Sequence, residues 1–398
     1  MAILKILFTL FLLSFSIAEV GRIQFPNGIA FTLNDLLLII LVGYFIGFKL
    51  INKSKFPKSY LKRPLLSFIG IAFVSLLINY FNYSLNNLLV SALYLVRFIL
   101  YVSLYFIVLN FDSNFKRKIP LFLIASGFIA VIFGYVQYLF YPSLKNLFYL
   151  GWDEHLYRMF STFLDPNFAG IFFSLFFIFS LILVEKNIKD KMKLSFYILV
   201  SLLSLLSVYL TYSRSGLIML LVSIFVFLLL KNKKKLIIAS FILLILIIFI
   251  APKSFKTEGT NLLRINSSTA RVESLEQAIE IYKKHPVFGV GFNAYRYAQN
   301  KYVGLNTTYW ETTHSGAGTD NSFAFVLATT GIVGFISYIY LIYKIIILSR
   351  LKIKKNLYAP VLISILIGLM SSSLFINGLF YVFIIEWVWI LIGLTESS

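Results

Sequence analysis

Apolar stretches the length of a bilayer, separated by short polar connections, constrain this chain more than any other feature. Twelve can be read, at about 2–17, 31–50, 65–80, 88–111, 119–140, 167–184, 194–210, 216–230, 236–251, 322–343, 357–376 and 380–394. About 20 apolar residues per helix match the hydrocarbon core of a membrane. The 398 residues are 59% hydrophobic, against roughly 45–50% for a soluble domain. A polytopic membrane protein is the class that fits. The expected fold is all-α, with about 12 transmembrane helices in a single integral membrane domain over 1–398. The first stretch has Lys5 ahead of a short apolar run, as a signal peptide would. The following "SIAEVGRIQF" is a poor small-residue cleavage site, so the stretch is read as a helix.

The formal net charge is +20, but the basic residues fall in short clusters between apolar stretches rather than on one soluble surface. They report topology, and no nucleic-acid partner is expected. "KLINKSKFPKSYLKR", "KRK", "EKNIKDKMK", "KNKKK" and "KIIILSRLKIKK" occupy alternate connections. Because Lys and Arg resist translocation, that side is cytoplasmic, and both termini share it. Extracytoplasmic chemistry is then confined to 20–30, 81–87, 141–166, the turn around Arg214 and the large loop 252–321. The chain has no cysteine, which removes disulfides and thiolate chemistry.

A loop of that length is more than a connector. "STARVESLEQAIEIYKKHP" carries a Ser/Thr cap signal, apolar Val272, Leu275, Ala278 and Ile279 at helical spacing, and a stop at Pro286. "HPVFGVGFNAYRY" supplies turns at Gly289 and Gly291. The loop is read as a small folded cap over the external face.

Several polar residues stand where chemistry is expected. Arg214, in "TYSRSG", lies on the side poor in basic residues, among Ser213, Ser215 and Gly216; its planar fork suits a phosphate or diphosphate. Arg271 opens the loop helix in this reading, where its charge opposes the helix dipole unless an anion binds there too. Arg158, a further candidate for the diphosphate, stands with Asp165 and Asn167 at the entrance to the sixth stretch, where Asp-Pro-Asn is also a plain helix-start signal. Arg97 and Glu386 are ionisable groups inside spans, and pairing with one another is one way to satisfy them. His285 precedes Pro286 at a helix end, where a cationic imidazole suits the dipole. His155 has no motif around it. His314 and Asp320, in "THSGAGTDNS", are candidate general bases; the alternative for Asp320 is capping, since "TDNS" offers Asp320 or Asn321 as the cap of the tenth span. Gly331 and Gly334 are read as small residues for close helix packing. No P-loop, no HExxH and no paired acidic motif outside the membrane is present, so no cofactor or metal is expected.

Taken in order, Arg214 in "SRSG", the large loop, Arg271, "HPVFGVGFNAY" and "DNSFAFVLATTGIVGF" resemble the O-antigen ligase and Wzy-type repeat-unit polymerase superfamily. The resemblance covers most of the chain. It implies a GT-C-like glycosyltransferase that moves a glycan from an undecaprenyl-diphosphate carrier at the outer face of the cytoplasmic membrane. It implies metal-independent inversion, with two arginines on the diphosphate matched here by Arg214 and Arg271. Implied partners are the lipid-linked glycan, the bilayer, and the pathway's chain-length regulator and flippase. The ligase signature has histidine, then Asn, Ser or Gln, nine residues and Gly-x-x-Gly. Here Asp320-Asn321 precedes nine residues and Gly331-Ile332-Val333-Gly334. Aspartate at that place favours a polymerase of O-antigen or capsule type. The alternatives are an O-antigen ligase acting on lipid A core or another acceptor and, in a different class, a transporter or flippase.

Overall fold

The computed structural model describes residues 1–25, 29–233, 235–236, 257–262, 266–304 and 318–397. Helices coincide with eleven of the twelve apolar stretches, and all but the first residue of the ninth, 236–251, lie outside the described residues. In chain order they begin with α1 (Ala2–Ser14), α2 (Leu33–Ile51), α3 (Lys62–Ile78), α4 (Leu85–Asn110) and the single turn α5 (Ser113–Lys116). Then come α6 (Ile119–Phe140), α7 (Pro166–Lys186), α8 (Lys191–Leu210) and α9 (Arg214–Leu230). The large loop contributes α10 (Asn266–Lys284) and α11 (Tyr295–Tyr302), and α12 (Ser322–Lys352), α13 (Tyr358–Ser372) and α14 (Val382–Glu396) follow. Six of the described helical runs are long and apolar enough to cross a membrane: α2, α4, Ser113–Phe140, α7, α8 and α12. The all-α expectation needs one amendment, a short antiparallel hairpin pairing Arg22–Gln24 with Ala30–Thr32.

The bundle is organised around α7, which packs against α8, α9 and α13. An amphipathic helix buries one stripe; α7 is apolar all round and buries nearly every residue, as a helix surrounded by other helices must. Trp387 of α14 is fully buried. Phe15, Phe172, Phe176 and Phe179 meet its ring edge-on, with centroids between 5.4 and 6.1 Å away. This is the arrangement that aromatic quadrupoles favour. The first stretch is a helix whose Leu4, Phe8, Phe11 and Leu12 are wholly buried in the same core.

Where α7 crosses α9 the two backbones nearly touch. A Cβ placed on Gly216 would lie 2.9 Å from the Gly170 backbone. Ser174 donates to the carbonyl of Gly170 at 2.7 Å, with that of Gly216 2.9 Å away as the alternative acceptor. Ser213 caps α9 by accepting from the Gly216 N–H, and Ser213 and Ser215 are fully buried 3.0 Å apart. The small residues around Arg214 therefore serve the helix crossing that holds it.

Basic connections gather at one end of the bundle. Lys5 pairs with Asp112, Lys231 with Glu185 at 2.7 Å, and the Tyr60 N–H donates to Glu396 at 2.8 Å. At the other end the large loop docks into α12 through its backbone. Gly331 has φ +65° and ψ −171°, which breaks α12 ten residues from its start. Residues 286–291 run antiparallel along the break. Val290 and Gly291 donate to the carbonyls of Ala328 and Thr329 at 3.0 Å, and Ile332 and Val333 donate to those of Pro286 and Val287 at 2.8 and 3.3 Å. The Ser75 hydroxyl donates to Phe288 O at 2.6 Å, and Asn79 donates to Gly289 O at 2.9 Å. Irregular backbone at this depth persists only where protein satisfies it. Gly331 is thus a required positive-φ position rather than a helix-packing residue, and Gly334 makes room for the Thr330 side chain. A Cβ on Gly331 would meet the Val287 carbonyl oxygen at 2.2 Å. Gly331→Ala should cost about 2 kcal/mol or more in stability, seen as a lowered thermal midpoint of the detergent-purified protein; an unchanged midpoint would refute the strap.

Candidate functional site

Arg214 is the first residue of α9, and its Nη1 donates to Ser268 of α10 at 2.9 Å. Arg271 does not open the loop helix as the sequence suggests. The polar run Asn266–Thr269 is itself helical, so Arg271 is the sixth residue of α10 and lies beyond the reach of the free N-terminal amides. Leu275, Ala278 and Ile281 form the face of α10 turned to the core, whereas Val272 and Ile279 are exposed.

The exit of the loop is tied to α10. Ser274 donates to Thr319 Oγ1 at 3.0 Å, and the Asp320 N–H donates to Ser274 Oγ at 3.2 Å. Asn321 caps α12, accepting from the N–H groups of Phe323 and Ala324 at 2.9 and 3.0 Å. The Asp320 carboxylate is therefore released from capping, and among the described residues it accepts no hydrogen bond. It stands in the wall of a deep cavity. Although its surface is open to that cavity, the surrounding protein raises its carboxyl above the usual carboxylate value, with Asp165 adding to the rise and Arg271 opposing it. Arg271 makes no hydrogen bond among the described residues. Burial lowers its guanidinium, Asp320 and Asp165 raise it, and neighbouring Arg214 lowers it. Two arginines and two carboxylates from three separate parts of the chain thus share one electrostatic neighbourhood.

Asp165 caps α7 through Asn167 and Phe168, as its sequence signal suggests, and its side chain also lines the cavity. Arg158 is 5% exposed. It donates to the carbonyls of Thr211 and Tyr212 at 2.9 and 3.4 Å and to Asn167 at 3.2 Å. It fastens the loop before α7 to the turn carrying Arg214.

The cavity holds about 1250 Å³ and runs from Asp320 and Asp165 to Arg97 and Arg22. Arg97 and Glu386 are not ion-paired with each other. Arg97 is bidentate to Asp35, at 2.8 and 2.5 Å, and Tyr101 donates to the same carboxylate at 3.0 Å. Glu386, fully buried, accepts from Asn34, which in turn accepts from Ser14. Asp35 is the residue that sequence reading missed. Its signal was Thr32-x-x-Asp35, a capping box at the start of α2, which puts a carboxylate at the head of an apolar run.

Of the histidines, His285 is 2.9 Å from the Tyr302 hydroxyl; burial and the nearby Lys301 and Lys284 lower its pKa, which opposes the cationic form that the helix dipole would favour. His155 lines the cavity. His314 lies outside the described residues.

Apolar helices around a charged site at one end of their bundle define this chain as a helical membrane protein. Residues 199–339 match the Wzy_C family model, described as O-antigen ligase. The matched segment contains Arg214, Arg271, Asp320 and the Gly331 break. No curated protein matches the chain.

Two outcomes follow from these charges. The folded state raises the Asp320 pKa above its unfolded value, so the favourable contribution is present below about pH 4 and is lost as pH rises through the folded value. Asp320→Asn should melt higher than the native protein at pH 7.5, with the two midpoints converging in acid; equal midpoints at pH 7.5 would argue against a desolvated carboxylate. Arg97→Leu, by stranding Asp35, should cost about 3–5 kcal/mol. Adding Asp35→Leu should restore much of it in a double-mutant cycle, and strictly additive losses would contradict the pairing.

Proposed function

We propose that this chain is a repeat-unit polymerase that transfers a growing glycan from an undecaprenyl-diphosphate carrier to a hydroxyl of another lipid-linked unit. The observation that carries the reading is the electrostatic neighbourhood that Arg214, Arg271 and Asp320 share, with Asp320 in the wall of the large cavity. The bond from the anomeric carbon to the diphosphate oxygen breaks, and the acceptor oxygen bonds to that carbon from the opposite face, inverting it. The hydroxyl proton passes to Asp320. Arg214 and Arg271 take up the charge that develops on the departing diphosphate, the kind of electrostatic stabilisation that usually dominates such transfers. A carboxylate with an ordinary pKa is a weak base, and burial strengthens Asp320 in that role. His314 is the second candidate for the proton.

In this proposal Arg158, engaged with backbone carbonyls, positions the Arg214 turn and does not hold the diphosphate. The basic end of the bundle faces the cytoplasm with both termini, and the site faces outward from the inner membrane. The chain forms one integral domain of twelve spans, with the large loop as its cap. Asp320 at the signature position favours polymerase over ligase. The transporter alternative rests on Arg97 and Glu386, and the bidentate engagement of Arg97 with Asp35 weighs against it.

Polysaccharide ladders from a deletion strain complemented with variants test this. Arg214→Ala and Arg271→Ala should each reduce polymer formation by about 10²–10³-fold, and Asp320→Asn should leave single repeat units. A full ladder from Asp320→Asn would remove it as the base; full ladders from both arginine variants would sink the diphosphate clamp.

A further inference from the structure

A second charged surface lies at the large-loop end of the bundle, outside the cavity. Lys284, the last residue of α10, holds its Nζ 4.6 Å from the centroid of the Tyr302 ring, and Lys301 of α11 approaches the same ring at 5.3 Å. Lys301 also reaches the Tyr83 ring at 6.0 Å. Each ammonium donates to one carbonyl at long range, Lys284 to Tyr302 O at 3.5 Å and Lys301 to Asn82 O at 3.4 Å. Both residues are exposed, and among the described residues no carboxylate lies within 4 Å of either. An ammonium has three donors, so each keeps two for another acceptor. His285 is 2.9 Å from the Tyr302 hydroxyl, and after burial it is Lys301 and Lys284 that lower its pKa. Three basic groups from two helices thus converge on one tyrosine without an ion-pair partner.

The surface that leads up to them is apolar. α3 exposes Phe73, Val74, Leu77 and Ile78, and α12, packed along it, exposes Ile332 and Ile336. The part of α12 after the Gly331 break, 332–352, covers about 30 Å at 1.5 Å per residue, which is the thickness of a bilayer's hydrocarbon core. The break therefore marks one edge of that core. Ser75 and Asn79 tie the end of α3 to the strap at this level. Tyr80 and Phe81 follow, Phe81 94% exposed, in the place where membrane proteins carry aromatic belts. Asn82, the acceptor for Lys301, comes next. From Phe73 to Asn82 the chain thus passes from an apolar stripe through an aromatic pair to ammonium groups, the order of acyl chain, interface and phosphate in one leaflet.

We propose that this surface binds an anionic phospholipid of the leaflet on the large-loop side, with the acyl chains along α3 and the phosphate held by Lys284 and Lys301. Basic residues at the opposite end of the bundle follow from topology, but topology gives no reason for a lysine pair at this one. Lys284 and His285 lead directly into the strap 286–291, so a bound headgroup would brace from outside the backbone that the α12 break holds from within. Lipid binding here is independent of which glycan reaction the chain performs.

The chain has no cysteine, so Leu77→Cys gives a single attachment point for a fluorophore on the exposed stripe. The full-length protein carrying it is placed in phosphatidylcholine nanodiscs doped with one spin-labelled lipid, either phosphatidylglycerol or phosphatidylcholine with a nitroxide near the head of an acyl chain. Nitroxide quenching is short-ranged, so lipids gathered at the basic end, about 30 Å away across the core, do not register. At about 20 mM salt the phosphatidylglycerol label should quench about threefold more strongly than the phosphatidylcholine label, and about 0.5 M salt should remove most of the difference. Lys284→Gln with Lys301→Gln should abolish the preference, and Lys284→Arg with Lys301→Arg should keep it. Lys53→Gln with Lys58→Gln, at the basic end, should leave it unchanged. Excess inorganic phosphate at matched ionic strength should not compete, because it has nothing to place on the apolar stripe. Equal quenching by the two lipids would overturn the site, as would a preference that survives the Gln pair at 284 and 301. Full displacement by phosphate would make it a site for a free anion and overturn the lipid. The lipid and salt comparisons need no charge variant, so they decide even if the Gln pair fails to fold.

Discussion

The site depends on a run of backbone hydrogen bonds at the break in α12. A helix that stops at Gly331 and restarts leaves N–H and C=O groups without intrahelical partners beside the fully buried Thr329 and Thr330. Residues 286–291 supply the missing partners from outside the helix, on both sides of the break. This fixes two things at once. The strap follows directly from α10, which carries Arg271, and the half-helix above the break begins immediately after Asp320. A guanidinium and a carboxylate fifty residues apart in sequence are thereby held by one rigid backbone junction. Arg214 joins them through a second junction, the Gly170–Gly216 crossing that sets the start of α9.

Much of this was legible in the sequence, for reasons that differ from residue to residue. Apolar length marks a helix because a bilayer demands it, and eleven of the twelve stretches are helices accordingly. The proline at 286 ended α10 near where expected, since Pro cannot continue a helix. Less legible was anything decided by a partner distant in sequence. Gly331 and Gly334 fitted a small-residue packing motif, and only the docked strap shows that one of them must adopt positive φ. "TDNS" offered two capping residues, and the geometry gave the cap to Asn321, leaving Asp320 free. Asp35 was hidden by the apolar run it heads, because a cap signal and an intramembrane charge look alike until Arg97 is placed beside it.

The ionisable groups divide by how completely the protein satisfies them. Asp35 accepts from Arg97 and Tyr101, with Thr32 closing the cap, and Glu386 is held by Asn34. Such groups stiffen the bundle, and removing one partner strands another. Arg271 and Asp320 feel one another electrostatically, yet they form no direct ion pair. Desolvation without a partner costs stability, and that cost is tolerated where a ligand supplies the partner. Burial alone would rank Glu386 above Asp320 as a candidate, and its Oε1 also has no hydrogen-bond partner among the described residues; what sets Asp320 apart is its place in the cavity wall beside Arg271.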